Sequence, residues 1–249
     1  MSTIFNIEKK IILMVFFFSL FLGSFYNVLA LRVLKKENVS YPPSHCVVCN
    51  HKLKPQDLVP IFSYLFLKGK CRYCSKKISP IYPFGELLTA ISYTIIINKY
   101  GFTLETLIHL TFITIMILAT ITDIEKTIVP NGFIVTGLIS VLLLRLISME
   151  NFVYYIIGSA VSFLFLFLIL VLSGGKIGGA DVKLYALIGL SIGLNNAMVS
   201  LFYASFIALI LNMKKVIKRE KNIEIPFVPY ITLGVLGTYI LNTQILTTI

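Results

Sequence analysis

Apolar residues in this chain fall in long unbroken runs. They do not follow the every-second spacing of a half-buried strand or the three-and-four spacing of a surface helix. Eight such runs stand out, at 11–32, 83–98, 104–121, 133–148, 152–172, 182–194, 197–212 and 228–246. A run near 20 residues matches a hydrocarbon layer of about 30 Å. Lipid admits only helices and closed barrels, because backbone groups there must pair among themselves. A barrel would show short alternating segments, which are not the pattern here. The reading is an all-α polytopic membrane protein with about eight transmembrane helices. The sixth run is short and carries Gly189 and Gly193, so it is expected to be tilted, broken or buried among other helices. The first run follows Lys9 and Lys10 as a signal peptide would. Its apolar character continues past Gly23 to Leu31 with no small-x-small cleavage site after it, so a retained helix is expected.

The polar interruptions orient these spans. The segment Lys35–Tyr82 holds nine basic and two acidic residues, and Met213–Pro226 holds five and two. Basic loops stay in the cytoplasm. Parity then puts the loops 122–132 and 173–181 there too, with both termini outside. On this count 17 of the 22 Lys and Arg lie in cytoplasmic loops or at Lys183 beside them. The organisation expected is a first transmembrane helix (1–34), a cytoplasmic loop (35–82) and a transmembrane core (83–249), in the cell membrane.

Composition agrees with that picture. The chain is 57% hydrophobic and 13% charged, half the charge of a soluble domain, with a mean hydropathy of +0.89. The net charge of +11 is read as contact with anionic lipid, and no nucleic-acid partner is expected.

All four cysteines fall in the first loop, as Cys46-Val47-Val48-Cys49 and, after 21 residues, Cys71-Arg72-Tyr73-Cys74. Two CxxC knuckles at this separation are the signature of a tetrahedral zinc site. Four thiolates close the coordination sphere and leave no place for a catalytic water, so the zinc is structural. Disulfides do not suit a reducing cytosol. A redox CxxC would need a thioredoxin-like βαβ context, which is absent. His45 and His51 flank the first knuckle. His109 shows no nucleophile–base pattern.

Two aspartates stand at the edges of apolar runs: Asp123 in Thr122-Asp123-Ile124-Glu125-Lys126, and Asp181 in Gly178-Gly179-Ala180-Asp181-Val182-Lys183. An acid at membrane depth is expensive to keep and is a functional candidate by default. Both are placed at the cytoplasmic boundary, so they form one candidate site in which two carboxylates share a proton. Glu86, Glu125 and Lys183 are candidate substrate-side groups. Each also has a plainer reading, as helix cap, solvated loop residue and interfacial anchor respectively. Asn27 and Arg32 read as polar glue on the first helix. The alternative class is a proton-coupled transporter relaying protons through the same acids. It predicts internal repeats with matching broken helices, and the cysteine loop occurs once.

Taken in order, these motifs resemble the type IV prepilin peptidases. The resemblance runs through Gly23-Ser24-Phe25-Tyr26-Asn27-Val28 with Arg32, the CxxC pair, Ser79-Pro80-Ile81-Tyr82-Pro83-Phe84-Gly85-Glu86, the two aspartate motifs and Ile225-Pro226-Phe227-Val228-Pro229-Tyr230. It implies an aspartic endopeptidase with Asp123 and Asp181 as its catalytic pair. The implied substrates are type IV prepilin-like precursors, each losing a short basic leader at the cytoplasmic face. It also implies methylation of the new N-terminus with S-adenosylmethionine; no Gly-rich nucleotide fingerprint accompanies that activity. The family writes its second aspartate motif GxGD, and here Ala180 replaces the glycine before the acid. A position needing positive φ would not accept alanine, whereas one needing only a small residue would. The second is the expectation.

Overall fold

The computed structural model describes residues 2–175, 177–217 and 225–241. It is helical: α1 (Ser2–Lys35), α2 (Phe62–Phe66), α3 (Ile81–Tyr100), α4 (Leu104–Lys126), α5 (Asn131–Ser148), α6 (Phe152–Leu172), α7 (Gly179–Ile217) and α8 (Val228–Ile240). Five of the described helices, α1 and α4 through α7, are long and apolar enough to cross a membrane. Half of the basic loop expected over Met213–Pro226, and the last residues of the run ending at 246, lie outside the described residues.

The chain divides into two compact units, Met1–Asn98 and Lys99–Ile249. In the first, α3 groups with α1 and the cysteine loop, whereas the sequence reading attached it to the later spans. Small residues let the two helices approach. A Cβ at Gly23 would stand 2.7 Å from the Cα of Glu86, and Gly85 packs directly under the Asn27 amide. The Tyr26 and Tyr93 hydroxyls meet at 2.8 Å, and Asn27 Nδ2 donates to the Tyr82 carbonyl at 2.9 Å. Arg32 closes the end of α1 by donating to the carbonyls of Asn38, Val39 and Pro42. These two polar residues therefore tie helix to helix and helix to loop.

In the second unit α4 is central. Its apolar window is 72% buried, against 17% for α6, which turns most of its side chains outward. Thr103 caps α4, its hydroxyl accepting from the Thr106 N–H. Thr120 of α4 and Thr232 of α8 share a buried hydrogen bond of 2.8 Å.

Helix α7 is not one rod. Gly193 has φ 76° and ψ 169°, outside any helix. The Tyr185 hydroxyl nevertheless lies 3.5 Å from that of Ser200. In a straight helix those residues would stand about 22 Å apart along the axis. The chain therefore turns back at Gly193, and the two runs read at 182–194 and 197–212 become the arms of a helical hairpin. Glycine is required at the turn: it takes the left-handed φ, and a side chain there would run into the Tyr154 ring. Gly158 of α6 packs on the backbone of Gly189 and Leu194, so the turn is held from outside by another glycine.

Candidate active site and metal centre

Asp123 sits in the last turn of α4 and Asp181 in the first turn of α7. Both are buried, at 6% and 8% exposure. Helices α4 and α7 pack against each other, so the two acids stand at the ends of neighbouring helices. Each carboxylate also meets a helix N-terminus, where unpaired N–H groups and the helix dipole favour an anion. Asp123 Oδ2 accepts from the Val228 N–H at 2.9 Å, at the start of α8, with the Phe227 N–H as a second donor. Asp181 caps its own helix and accepts from the Gly178 backbone. Gly178 has to be small, since a Cβ there would lie 2.9 Å from Asp181 Oδ2. Ala180, by contrast, is an ordinary helical residue of α7 with no positive φ. Its methyl group is compatible with this backbone, as expected.

The Val228 and Phe227 amides were not picked out as site groups from the sequence. The Phe227-Val228-Pro229 helix entry is their signal, because a proline in the first turn of α8 marks where free N–H groups begin. Tyr185, one turn beyond Asp181 and fully buried, is a second unpredicted neighbour that senses the Asp181 charge.

The remaining candidates have partners or exposures of their own. Glu125 is exposed just past Asp123. Lys183 is exposed too, and its ammonium donates to Asn131 Oδ1 at 3.0 Å. It thereby joins the start of α7 to the start of α5. Glu86 belongs to the first unit, is 6% exposed, and accepts from the Ile61 N–H at 2.7 Å.

The cysteine loop folds as one turn used twice. Cys46 N–H donates to the His51 carbonyl at 3.0 Å and Asn50 N–H to the Cys46 carbonyl at 2.8 Å. Twenty-five residues on, Cys71 N–H donates to Lys76 at 2.8 Å and Ser75 N–H to Cys71 at 2.9 Å. Asn50 and Ser75 take the same left-handed φ, 55° and 58°. Short antiparallel bridges, His45 with Lys52 and Lys70 with Lys77, close each knuckle. The four Sγ atoms lie within 4.8 Å of one another, and Cys46 and Cys74 are 3.9 Å apart. Sulfurs about 2.3 Å from one zinc would stand close to that separation, so the donor set fits. Burial opposes ionisation of Cys46, but the backbone N–H groups of Cys49 and Val48 and the neighbouring thiols outweigh it and bring that thiol down to about 6. At Cys74 the Lys76 N–H favours the thiolate. Burial and the crowding of the other three thiols prevail there and push it up to about 11. A dication would relieve this competition for charge. His51 stacks on Tyr73, ring centres 3.6 Å apart, which makes it a packing group.

Residues 17–100 match the family model "Bacterial Peptidase A24 N-terminal domain", and residues 110–213 match "Type IV leader peptidase family". A prepilin leader peptidase/N-methyltransferase of Bacillus subtilis is 33% identical over 234 residues, covering 93% of this chain and 94% of the relative. One of Aeromonas salmonicida is 28% identical over 256 residues, covering 89% and 87%. A type 4 prepilin-like proteins leader peptide-processing enzyme of Escherichia coli is 29% identical over 251 residues, covering 90% and 91%. No solved structure matches. With both halves matched in order and a relative aligned almost end to end, the chain belongs to the type IV leader peptidase family.

Proposed function

We propose that this protein is a membrane aspartic endopeptidase that removes the short basic leader of type IV prepilin-like precursors at the cytoplasmic face of the cell membrane. The observation that supports the reading is a pair of buried acids, Asp123 and Asp181, at the ends of two helices packed together, with no cation paired to either among the described residues. Structural acids at membrane depth are normally neutralised by a partner. Two that face each other share one proton. In the reaction the ionised member takes a proton from a water molecule, whose oxygen attacks the scissile carbonyl carbon. The neutral member gives its proton to the carbonyl oxygen. The tetrahedral species then collapses, the C–N bond breaks, and the amine leaves with a proton returned by the pair. The dyad acts as a unit, with no covalent intermediate.

The rest of the assignment follows the family and the charge pattern. The eight apolar runs of the sequence, with basic loops assigned to the inside, support a position for both acids at the inner boundary, where a leader preceding an apolar helix would arrive. Exposed Glu125 suits attraction of the leader's basic residues. Glu86 and Lys183 serve the frame instead, Glu86 through Ile61 and Lys183 through Asn131. The four cysteines hold a structural zinc. The names of the relatives support a second activity, N-methylation of the new terminus using S-adenosylmethionine.

The test is cleavage in membranes holding this chain and a precursor with a short basic leader, a glycine and an apolar helix, read by mass spectrometry. A product lacking the leader is expected, with one added methyl group when S-adenosylmethionine is supplied. Absence of cleavage by well-expressed protein across several such precursors would end the reading. For the metal, purified protein should carry one zinc equivalent, lost in Cys71→Ser; folded, active protein without zinc would refute the site.

A further inference from the structure

The loop between α1 and α3 presents a feature that neither the zinc nor the peptidase site uses. The short helix α2 turns its apolar side chains outward: Phe62, Leu65 and Phe66 are 45%, 64% and 83% exposed. Its position is fixed from below. Ile61, the residue that starts α2, holds φ 60°, an outlier for a β-branched side chain. Its N–H is bound at 2.7 Å by the buried Glu86 carboxylate. Glu86 lies in the second turn of α3, between Phe84 and Leu87, whose side chains are exposed on the same apolar helix. Helical side chains lean toward their N-terminus. The start of α2 is therefore level with the first turns of α3, where that helix begins to show apolar side chains outward.

Beside α2 the same loop forms a cavity of about 460 Å³ lined by Tyr64, Lys68, Lys70, Lys77 and Ser79. Its frame is well defined. Lys68 and Gly69 leave α2 through left-handed φ values of 51° and 67°, Gly69 N–H returns to the Tyr64 carbonyl, and the Lys70–Lys77 bridge brings two of the lysines side by side. Of the loop's cations Arg72 is neutralised by Asp57. Among the described residues none of the three cavity lysines has an acid within ion-pair reach.

We propose that residues 58–80 form a lipid-anchoring element, in which Phe62, Leu65 and Phe66 enter the inner leaflet while Lys68, Lys70 and Lys77 hold the phosphate of an anionic phospholipid. Three unpaired cations and two hydroxyls suit a phosphate group. The adjoining aromatic and aliphatic side chains suit the acyl chains, continuing the apolar face of α3. This rests on the membrane placement of the chain and not on the peptidase assignment, so the two can fail separately.

The chain contains no tryptophan, which gives a direct probe. Full-length Phe66→Trp, and Leu65→Trp as a second position, are placed in nanodiscs of phosphatidylcholine alone or with phosphatidylglycerol. Blue-shifted emission quenched by lipids brominated near the headgroup is expected, at least about twofold more strongly with the anionic lipid. The triple variant Lys68→Gln/Lys70→Gln/Lys77→Gln, with zinc content checked against the parent, should abolish the anionic preference and retain several-fold less phosphatidylglycerol on purification. Added inorganic phosphate should change neither readout. Water-like emission unquenched at both positions would overturn the proposal. So would a blue shift without lipid quenching, which indicates a protein partner. Anionic lipid retention unchanged by the triple substitution, or lost to free phosphate, would overturn it as well.

Discussion

The two ends of α4 carry acids in opposite circumstances. Glu105 lies in its first turn and Asp123 in its last, about 27 Å apart along the axis. Glu105 is neutralised. Arg145 Nη1 donates to it at 2.6 Å, His109 Nε2 lies 3.5 Å away, and the fully buried guanidinium also donates to the Ser191 carbonyl at 2.6 Å. The Tyr155 ring covers the guanidinium at 3.5 Å, and the Tyr239 hydroxyl meets His109 Nδ1 at 3.0 Å. Asp123 is held by backbone N–H groups, with no cation paired to it among the described residues. The same helix thus uses one acid to lock helices together and leaves the other without a cation, as the proposed reaction requires. Arg145 reaches Ser191 two residues before the break at Gly193. The locked end therefore steadies the hairpin whose other end carries Asp181.

The contrast breaks most visibly at the unpaired end. Asp123→Asn and Asp181→Asn are each expected to lower precursor cleavage by about 10²–10⁴-fold with protein level and thermal unfolding unchanged. Cleavage retained in either variant removes the dyad. At the paired end the order reverses. Arg145→Met leaves Glu105, 26% exposed, without its cation and removes the buried guanidinium's bond to the Ser191 carbonyl, and should lower stability by about 1–3 kcal/mol, seen as early thermal unfolding in detergent. Cleavage per folded molecule should be little affected. Adding Glu105→Gln to that variant should restore part of the loss; no recovery would show that the guanidinium acts chiefly through Ser191. A subtler change is Gly178→Ala. The new methyl group would press on Asp181 Oδ2 at 2.9 Å, so cleavage should fall by about tenfold with a stability change below about 1 kcal/mol.

The smallest effect belongs to a third acid. Burial opposes ionisation of Asp57, but Arg72, the Lys54 N–H and Tyr73 outweigh it and hold its carboxyl below the usual carboxylate range. A depressed folded value means the stabilisation is complete above the unfolded value of about 4 and fades as pH falls through the folded one. Arg72 is 42% exposed, so the pair should contribute at most about 1 kcal/mol. Melting of Asp57→Asn and the parent protein should differ slightly at neutral pH and converge as pH falls below the usual carboxylate range, with zinc content followed in parallel.

Much of this was legible in the sequence, for physical reasons. Length and apolarity alone marked the helical runs, and the gap read between 194 and 197 falls beside the turn at Gly193. The cysteine spacing encoded the clustering of the four sulfurs, because a knuckle is a local turn. What the sequence did not reveal are partnerships between helices. Arg145 with Glu105 spans 40 residues and Val228 with Asp123 spans 105. Periodicity says which face is apolar but not which neighbour lies against it. The attachment of α3 to α1 was hidden for the same reason. It depends on Gly23 and Gly85, which as single residues are silent until both helices are in place.

The hairpin in α7 has a further consequence. From Gly179 to the turn at Gly193 its first arm has only about 14 residues, roughly 21 Å of helix, against a hydrocarbon thickness near 30 Å. A segment that short either thins the bilayer around it or draws its ends below the headgroups. In either case the lipid boundary dips toward Asp181. On the proposed reading, water then reaches the acid without a channel, and a precursor lifts only a few residues of its own helix out of the oil to be cut.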